Sequence, residues 1–240
     1  MATSDIDLAP PASHMHTACH LSQNERATLD ARGWISLKGQ ASSRHDFMLV
    51  LLGIGQSLGM PMPTRNRRLV DELAPLNKHK AFPRSLSQIT GPGQQPWHID
   101  LAHRVEPARY LVMGMHKTTT ETACTELLDA SALIPNKMQE EALSEPFLIR
   151  TGASSFYATI TVKSQSFVRF DPGCMQGATT RAKALMQKLL DQDLAPNHIH
   201  GWEPGSVLVI DNWKMLHRRA DATSSTDRTL YRVSVMRGTT

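Results

Sequence analysis

The chain is short of several things, and each shortage closes off a class of function. No stretch of about 18 or more consecutive apolar residues occurs, so nothing in it is expected to span a membrane. Cysteine appears three times, at Cys19, Cys124 and Cys174, too few and too scattered for a disulfide framework. The N-terminal "MATSDIDLAPPASHMHTACH" lacks the basic head and apolar core of a secretory signal. A reducing, cytoplasmic setting is the expectation. Aromatic residues make up 5% of the chain, and no basic stripe is interleaved with them. A base-stacking platform for nucleic acid is therefore not expected.

What is present is the composition of a globular protein. Of the 240 residues, 40% are hydrophobic and 20% charged, enough to bury a proper core. The formal charge is +4. Much of the positive charge lies late, at Arg218, Arg219, Arg228, Arg232 and Arg237. Arginines turned inward would suit a small anionic ligand.

Residues 1–20 carry Pro10-Pro11 and small polar residues and read as a loose arm. Its His14, His16, Cys19 and His20 read as a His-rich tail rather than a metal site. Residues 21–240 read as one domain. Ser22 is an N-cap candidate for a short helix that Gly33 closes, "WISL" is a strand, and "SSRHDFMLVLLGIGQSLG" opens on a second Ser cap. Residues 60–80 look irregular and basic. From residue 82 onward short β segments alternate with Gly and Pro: "SLSQIT", "PWHIDLAH", "ARYLVMGMHK", "CTELLDA" and others. One late amphipathic helix starts near residue 179. "GSVLVIDNWKMLHRRA" and "RTLYRVSVMRG" then close the chain as two strands. Many short strands with a few helices predict a mainly β sandwich or barrel with flanking helices.

In "GQQPWHIDLAH" an imidazole and a carboxylate stand two residues apart. On a strand, His98 and Asp100 share a face and Ile99 takes the other. A second histidine would complete a 2-His-1-carboxylate triad, which leaves positions open on a divalent metal and suits non-haem Fe(II) oxygen chemistry. His217, near the end of "SVLVIDNWKMLH", is the best placed of eleven histidines. The pair in "HIH" at 198–200 has the same spacing but no acidic neighbour, and reads as an exposed strand face. Arg228 and Arg232, four apart in "RTLYR", fall on one side of an extended segment and suit carboxylate recognition. Cys174 in "FDPGCM" reads as a small core residue, and Trp213 as a core tryptophan.

The ordered set "WHID", Thr125, "DNWKMLHRR" and "DRTLYR" resembles the Fe(II)/2-oxoglutarate-dependent oxygenases of the taurine dioxygenase and clavaminate synthase-like branch. The resemblance covers roughly residues 20–240. It implies a double-stranded β-helix (jelly roll) with helices on its larger sheet. It implies Fe(II) held by His98, Asp100 and His217, and 2-oxoglutarate as co-substrate with O2. Thr125 and Arg228 are then expected to take the distal carboxylate of 2-oxoglutarate, and Arg232 to face an acidic group of the substrate. Trp97 and His103 are substrate-contact candidates by their closeness to the triad. The implied reaction is oxidative decarboxylation of 2-oxoglutarate coupled to hydroxylation or desaturation of a small molecule. A carboxylate at position 100, where halogenating relatives have a small residue, argues against halogenation. Arg218 stands where the family often has glycine, and the stretch between Thr125 and His217 is short. The alternative is a non-catalytic jelly roll that binds 2-oxoglutarate or another dicarboxylate.

Overall fold

The computed structural model describes residues 20–63, 67–83, 85–118, 122–151, 154–162, 166–224 and 229–238. The arm, apart from His20, lies outside these residues, and so does Arg228. Among the described residues the chain forms five α-helices and twelve strands. In chain order they are α1 (Gln23–Arg32), β1 (Trp34–Lys38), α2 (Arg44–Leu58), β2 (Gly59–Pro61), β3 (Asp71–Leu73) and α3 (Leu86–Thr90). There follow β4 (Tyr110–Gly114), β5 (Thr125–Asp129), α4 (Gln139–Ser144), β6 (Phe147–Thr151), β7 (Ser154–Ala158) and β8 (Met175–Gly177). The last elements are α5 (Thr180–Leu190), β9 (His198–His200), β10 (Ser206–Asp211), β11 (Met215–Arg219) and β12 (Leu230–Arg237).

The front helices form for local reasons. Ser22 and Glu25 make a reciprocal capping box at the start of α1. Gly33 ends the helix in the left-handed region at φ 78°, where a side chain would also run into Met215. Ser43 caps α2 by accepting from the Asp46 N–H at 3.1 Å. The apolar residues of α2 recur at helical spacing, so Phe47, Leu51, Ile54 and Leu58 are all buried. Gly55 lets the helix come close to β12: a Cβ there would stand 3.0 Å from Val233.

The largest sheet has the order β1-β10-β4-β12-β2, with β3 also on β12, and every pairing in it is antiparallel. Period-two alternation gives it two apolar faces. Val112, Val207, Val209, Val233 and Val235 pack against α1 and α2. Leu111, Met113, Leu208 and Ile210 turn inward. There they meet Leu127 of β5, which belongs to a second antiparallel sheet of order β11-β5-β9. A third sheet, β7-β6-β8, is packed by α5, whose Ala182, Leu185 and Leu189 are buried. This is the mainly β architecture with flanking helices that was expected, a double-stranded β-helix with helices on its larger sheet.

Four local expectations need correction. "SLSQIT" is helix α3, because Ser85 accepts from Gln88 N–H as an N-cap and Gly91 closes the turn at φ 62°. "SVLVIDNWKMLH" is two strands in different sheets. Asp211 accepts from the Lys214 N–H and, through its side chain, from the Trp213 N–H, so the chain turns at 212–214 and crosses from one sheet to the other. "PWHIDLAH" is a single bridge, His98 to His217, followed by a turn. His200 is buried against Trp202 rather than exposed; Ile199 is the outward residue of "HIH". Trp213 and Cys174 are buried as expected.

Candidate metal centre and its cavity

The bridge between His98 and His217 brings the two distant parts of the sequence together. His98 N–H donates to the His217 carbonyl at 3.1 Å, and His217 N–H returns the bond at 2.9 Å. The two rings lie with centroids 4.4 Å apart. Asp100 Oδ1 is 3.7 Å from Nε2 of each histidine. That is too long for a hydrogen bond and suits groups gathered about a common point. Among the described residues these three form the group whose ligand atoms lie within 4.8 Å of one another.

The protonation pattern fits a metal. His98 Nδ1 is 3.0 Å from the Pro96 carbonyl, which fixes the proton on that nitrogen and leaves the Nε2 lone pair toward Asp100. Burial and the neighbouring His217 push the His98 pKa down to about 3, so the ring is neutral at physiological pH. Burial alone would push the Asp100 carboxyl up. The Arg232 guanidinium and the two imidazoles outweigh it and hold Asp100 well below the usual carboxylate range. Two imidazoles, that of His98 neutral, and one carboxylate are the donor set that a ferrous ion accepts while keeping open positions.

The surroundings hold Asp100 by one carboxylate oxygen and its backbone. Arg232 Nη1 donates to Asp100 Oδ2 at 2.5 Å, and Nη2 donates to Asp71 Oδ2 at 2.8 Å. The guanidinium thus occupies one carboxylate oxygen and leaves the other toward the histidines. The Asn212 side chain accepts from Asp100 N–H at 2.9 Å and donates to the Asp100 carbonyl at 3.1 Å and the Ala108 carbonyl at 2.8 Å. Leu101, directly after Asp100, has φ 58°, a left-handed conformation that costs a residue with a side chain on the order of 1–2 kcal/mol. Arg169 holds the following turn by donating to the carbonyls of Ala102, Arg104 and Val105.

The triad opens into a cavity of about 1010 Å³. Such a volume is at the upper end for a small-molecule site, and has room for a co-substrate beside a substrate. Thr125, His217 and Arg219 share one face, because Thr125 pairs with Arg219 across β5 and β11 and His217 lies two residues away on β11. All three line the cavity. Thr125 accepts from the Trp202 indole N–H at 3.1 Å, and Arg219 donates to the carbonyls of Gly91 and Gly93 at 2.7 Å each.

Of the residues expected at the site, His98, Asp100, His217, Thr125, Arg232 and His103 all line this cavity. Arg228 lies outside the described residues. Trp97 does not line the cavity. The alternation that joins His98 to Asp100 sends Trp97 with Ile99 into the apolar core, and Arg218 stacks over its ring at 4.1 Å. Arg232, expected to face substrate, is engaged by two carboxylates. Sequence reasoning missed Asp71, which sits in a stretch read as irregular, and Asp171, taken as part of a turn. It also missed Asn212, although "DN" ahead of His217 was in view; a buried amide between two strands was the available signal.

Residues 148–234 match the model of the family described as "Taurine catabolism dioxygenase TauD, TfdA family". That span contains His217 and Arg232 and begins after His98 and Asp100, which the fold alone brings to them. The resemblance to the TauD/TfdA oxygenases holds. Solved structures of the same fold include an asparagine oxygenase in complex with Fe(II), 2S,3S-3-hydroxyasparagine and succinate. It is 18% identical with a TM-score of 0.67, covering 89% of this chain and 78% of that one. The non-heme iron oxygenase OrfP, in complex with Fe, succinate and (3S)-hydroxy-L-Arg, is 19% identical with a TM-score of 0.63 over 88% and 77%. PvcB, an Fe, alpha-ketoglutarate dependent oxygenase from an isonitrile synthetic pathway, is 17% identical with a TM-score of 0.62 over 91% and 82%. No curated protein matches this chain by sequence. Among the described residues no helix is long and apolar enough to cross a membrane.

Proposed function

We propose that this chain is an Fe(II)- and 2-oxoglutarate-dependent dioxygenase that hydroxylates a small molecule. The observation that carries the reading is the meeting of His98, Asp100 and His217 at the wall of a large cavity, with the tautomer of His98 already set for a metal. When bound there, Fe(II) supplies the activation of O2 that couples decarboxylation of 2-oxoglutarate, to succinate and CO2, with oxidation of a substrate C–H bond. The protein's part is to hold, orient and exclude. His98 and His217 offer ring nitrogens, and Arg232 turns one Asp100 oxygen toward them. Thr125 on the cavity wall, with Arg228, takes the distal carboxylate of 2-oxoglutarate. Met113 and Leu101 add apolar surface to the cavity lining.

Chains of this fold have been caught with hydroxylated asparagine or arginine beside iron and succinate. An amino acid or amino acid derivative is accordingly the substrate class favoured here, and a cytoplasmic setting goes with it. The complete triad speaks against the non-catalytic alternative. The test is succinate release from 2-oxoglutarate by purified protein, with and without Fe(II). Iron-dependent succinate that disappears in Asp100→Ala supports the proposal; binding of 2-oxoglutarate with no succinate under any substrate returns the protein to the binding-only reading.

A further inference from the structure

The charged groups that line the cavity are unequally committed. Of the carboxylates, Asp71 and Asp100 share Arg232, and Glu72 has Arg44. Asp171 has no cation among the described residues, but its Oδ1 is taken by the Gly173 N–H at 2.7 Å. Of the guanidiniums, Arg232 is held by the two aspartates, Arg218 by Glu126, and Arg219 by the carbonyls of Gly91 and Gly93. Arg68, Arg104 and Arg150 line the cavity as well, and among the described residues none of them meets a carboxylate. All three are exposed, which puts them at its rim. Arg150 donates to a neutral amide, from Nη2 to Gln176 Oε1 at 2.7 Å.

Two of these arginines spring from well-tied backbone. The Arg104 N–H donates to the Leu101 carbonyl at 2.9 Å, and the buried Arg169 donates to the Arg104 carbonyl at 2.5 Å. The Arg150 N–H donates to the Cys174 carbonyl at 2.9 Å. Arg104 and Arg150 are therefore tied to the same short segment, residues 169–174, from different elements. Thr125, assigned to 2-oxoglutarate, stands on β5 in another sheet. A ligand that fills the cavity displaces water that screens these guanidiniums, so their field strengthens as the site closes on it. A neutral or cationic ligand gives nothing back for that lost water; an oxyanion returns charge-assisted hydrogen bonds.

We propose that Arg104 and Arg150, with Arg68, form a subsite for an oxyanion of the substrate, a carboxylate or a phosphate. The inference rests on the oxygenase reading and deepens it by naming an acidic group that the substrate carries. Arg232 cannot supply that subsite, since both ends of its guanidinium are held by Asp71 and Asp100.

The probes are pairs that differ in the acidic group: L-glutamate against L-glutamine, and O-phospho-L-serine against L-serine. Binding is measured by calorimetry on the protein loaded with Co(II) and saturating 2-oxoglutarate, so that the co-substrate site is already filled. The expected result is tighter binding of at least one anionic member, by about tenfold or more over its neutral partner; which pair shows it separates carboxylate from phosphate. Arg104→Gln and Arg150→Gln should each cut the preference by about fivefold, and the double variant should remove it. Arg237→Gln, at the exposed end of β12 and outside the cavity, should leave it unchanged. No binding by either anion, equal binding within both pairs, a preference that survives the double variant, or an equal loss in Arg237→Gln overturns the proposal. The wild-type comparison stands even if a variant folds poorly. Uncoupled turnover of 2-oxoglutarate to succinate by the wild type, measured without probe, separates the two levels. Anion preference without succinate rejects the oxygenase and keeps the subsite. Succinate without anion preference rejects the subsite and keeps the oxygenase.

Discussion

Strands β10 and β11 are consecutive and separated by three residues, yet they do opposite work. In β10, Val207 to Ile210 are all fully buried and all apolar, Val207 and Val209 toward the helices and Leu208 and Ile210 toward the interior. In β11, "MLHRR" buries His217 and Arg219 and partly buries Arg218. Each of these is tied to a specific partner: His217 to the His98 backbone, Arg218 to Glu126, and Arg219 to two carbonyls. One strand contributes apolar burial, worth about 1.5–3 kcal/mol per large side chain. The other contributes polar groups that the fold satisfies only in part: His217 Nδ1 and Arg219 Nε are buried without a hydrogen-bond partner among the described residues, and His217 Nε2 is left toward Asp100. Stability and chemistry are thus separated along the chain, strand by strand.

That separation is open to direct attack. His217→Ala should remove high-affinity Fe(II) or Co(II) binding, by about a hundredfold or more, while leaving the melting temperature of the metal-free protein within a few degrees. Leu208→Ala should do the reverse. Removing a fully buried leucine should cost about 2–5 kcal/mol in denaturant titration, with metal stoichiometry unchanged in the protein that remains folded. If Leu208→Ala loses metal as readily as His217→Ala, the two strands are not separable.

Smaller effects sharpen the picture around the triad. Arg232→Met frees Asp100 Oδ2 and should weaken metal binding by about 10- to 100-fold, with Arg232→Lys intermediate because one amine cannot bridge both Asp71 and Asp100. Asp171→Asn should stabilise the metal-free protein in a pH-dependent way. The unfolded chain ionises this carboxyl near 3.8 and the folded protein near 6, so the folded state binds more protons between those values and the wild type loses stability as pH rises through them. The variant should therefore gain on the order of 3 kcal/mol over wild type well above pH 6 and nothing below pH 4. Lys38→Ala, which removes the exposed Lys38–Glu203 pair, should leave the melting temperature essentially unchanged.

The parts legible in sequence were those with short-range grammar. Capping residues marked α1 and α2, alternation marked the strands, and spacing picked His98 and His217 out of eleven histidines, with Asp100 beside the first. What escaped was decided across the fold. The break between β10 and β11 depends on Asn212 finding the backbone of residue 100, far away in sequence. Trp97, expected to contact substrate, packs in the core away from the site, on the face opposite His98 and Asp100. Asp71 looked like part of an irregular basic stretch until β3 paired with β12 and set it opposite Arg232. Asp171 carried a turn signature that hid its place on the cavity wall. Arg228 lies outside the described residues, so its role rests on spacing and the resemblance.

The most direct measurement is anomalous diffraction at the iron edge from crystals grown with Fe(II) under anaerobic conditions. One strong peak is predicted, about 2.0–2.3 Å from Nε2 of His98, an Oδ atom of Asp100 and Nε2 of His217. A peak elsewhere, such as between His198 and His200, or no peak in protein that still folds, would contradict the account.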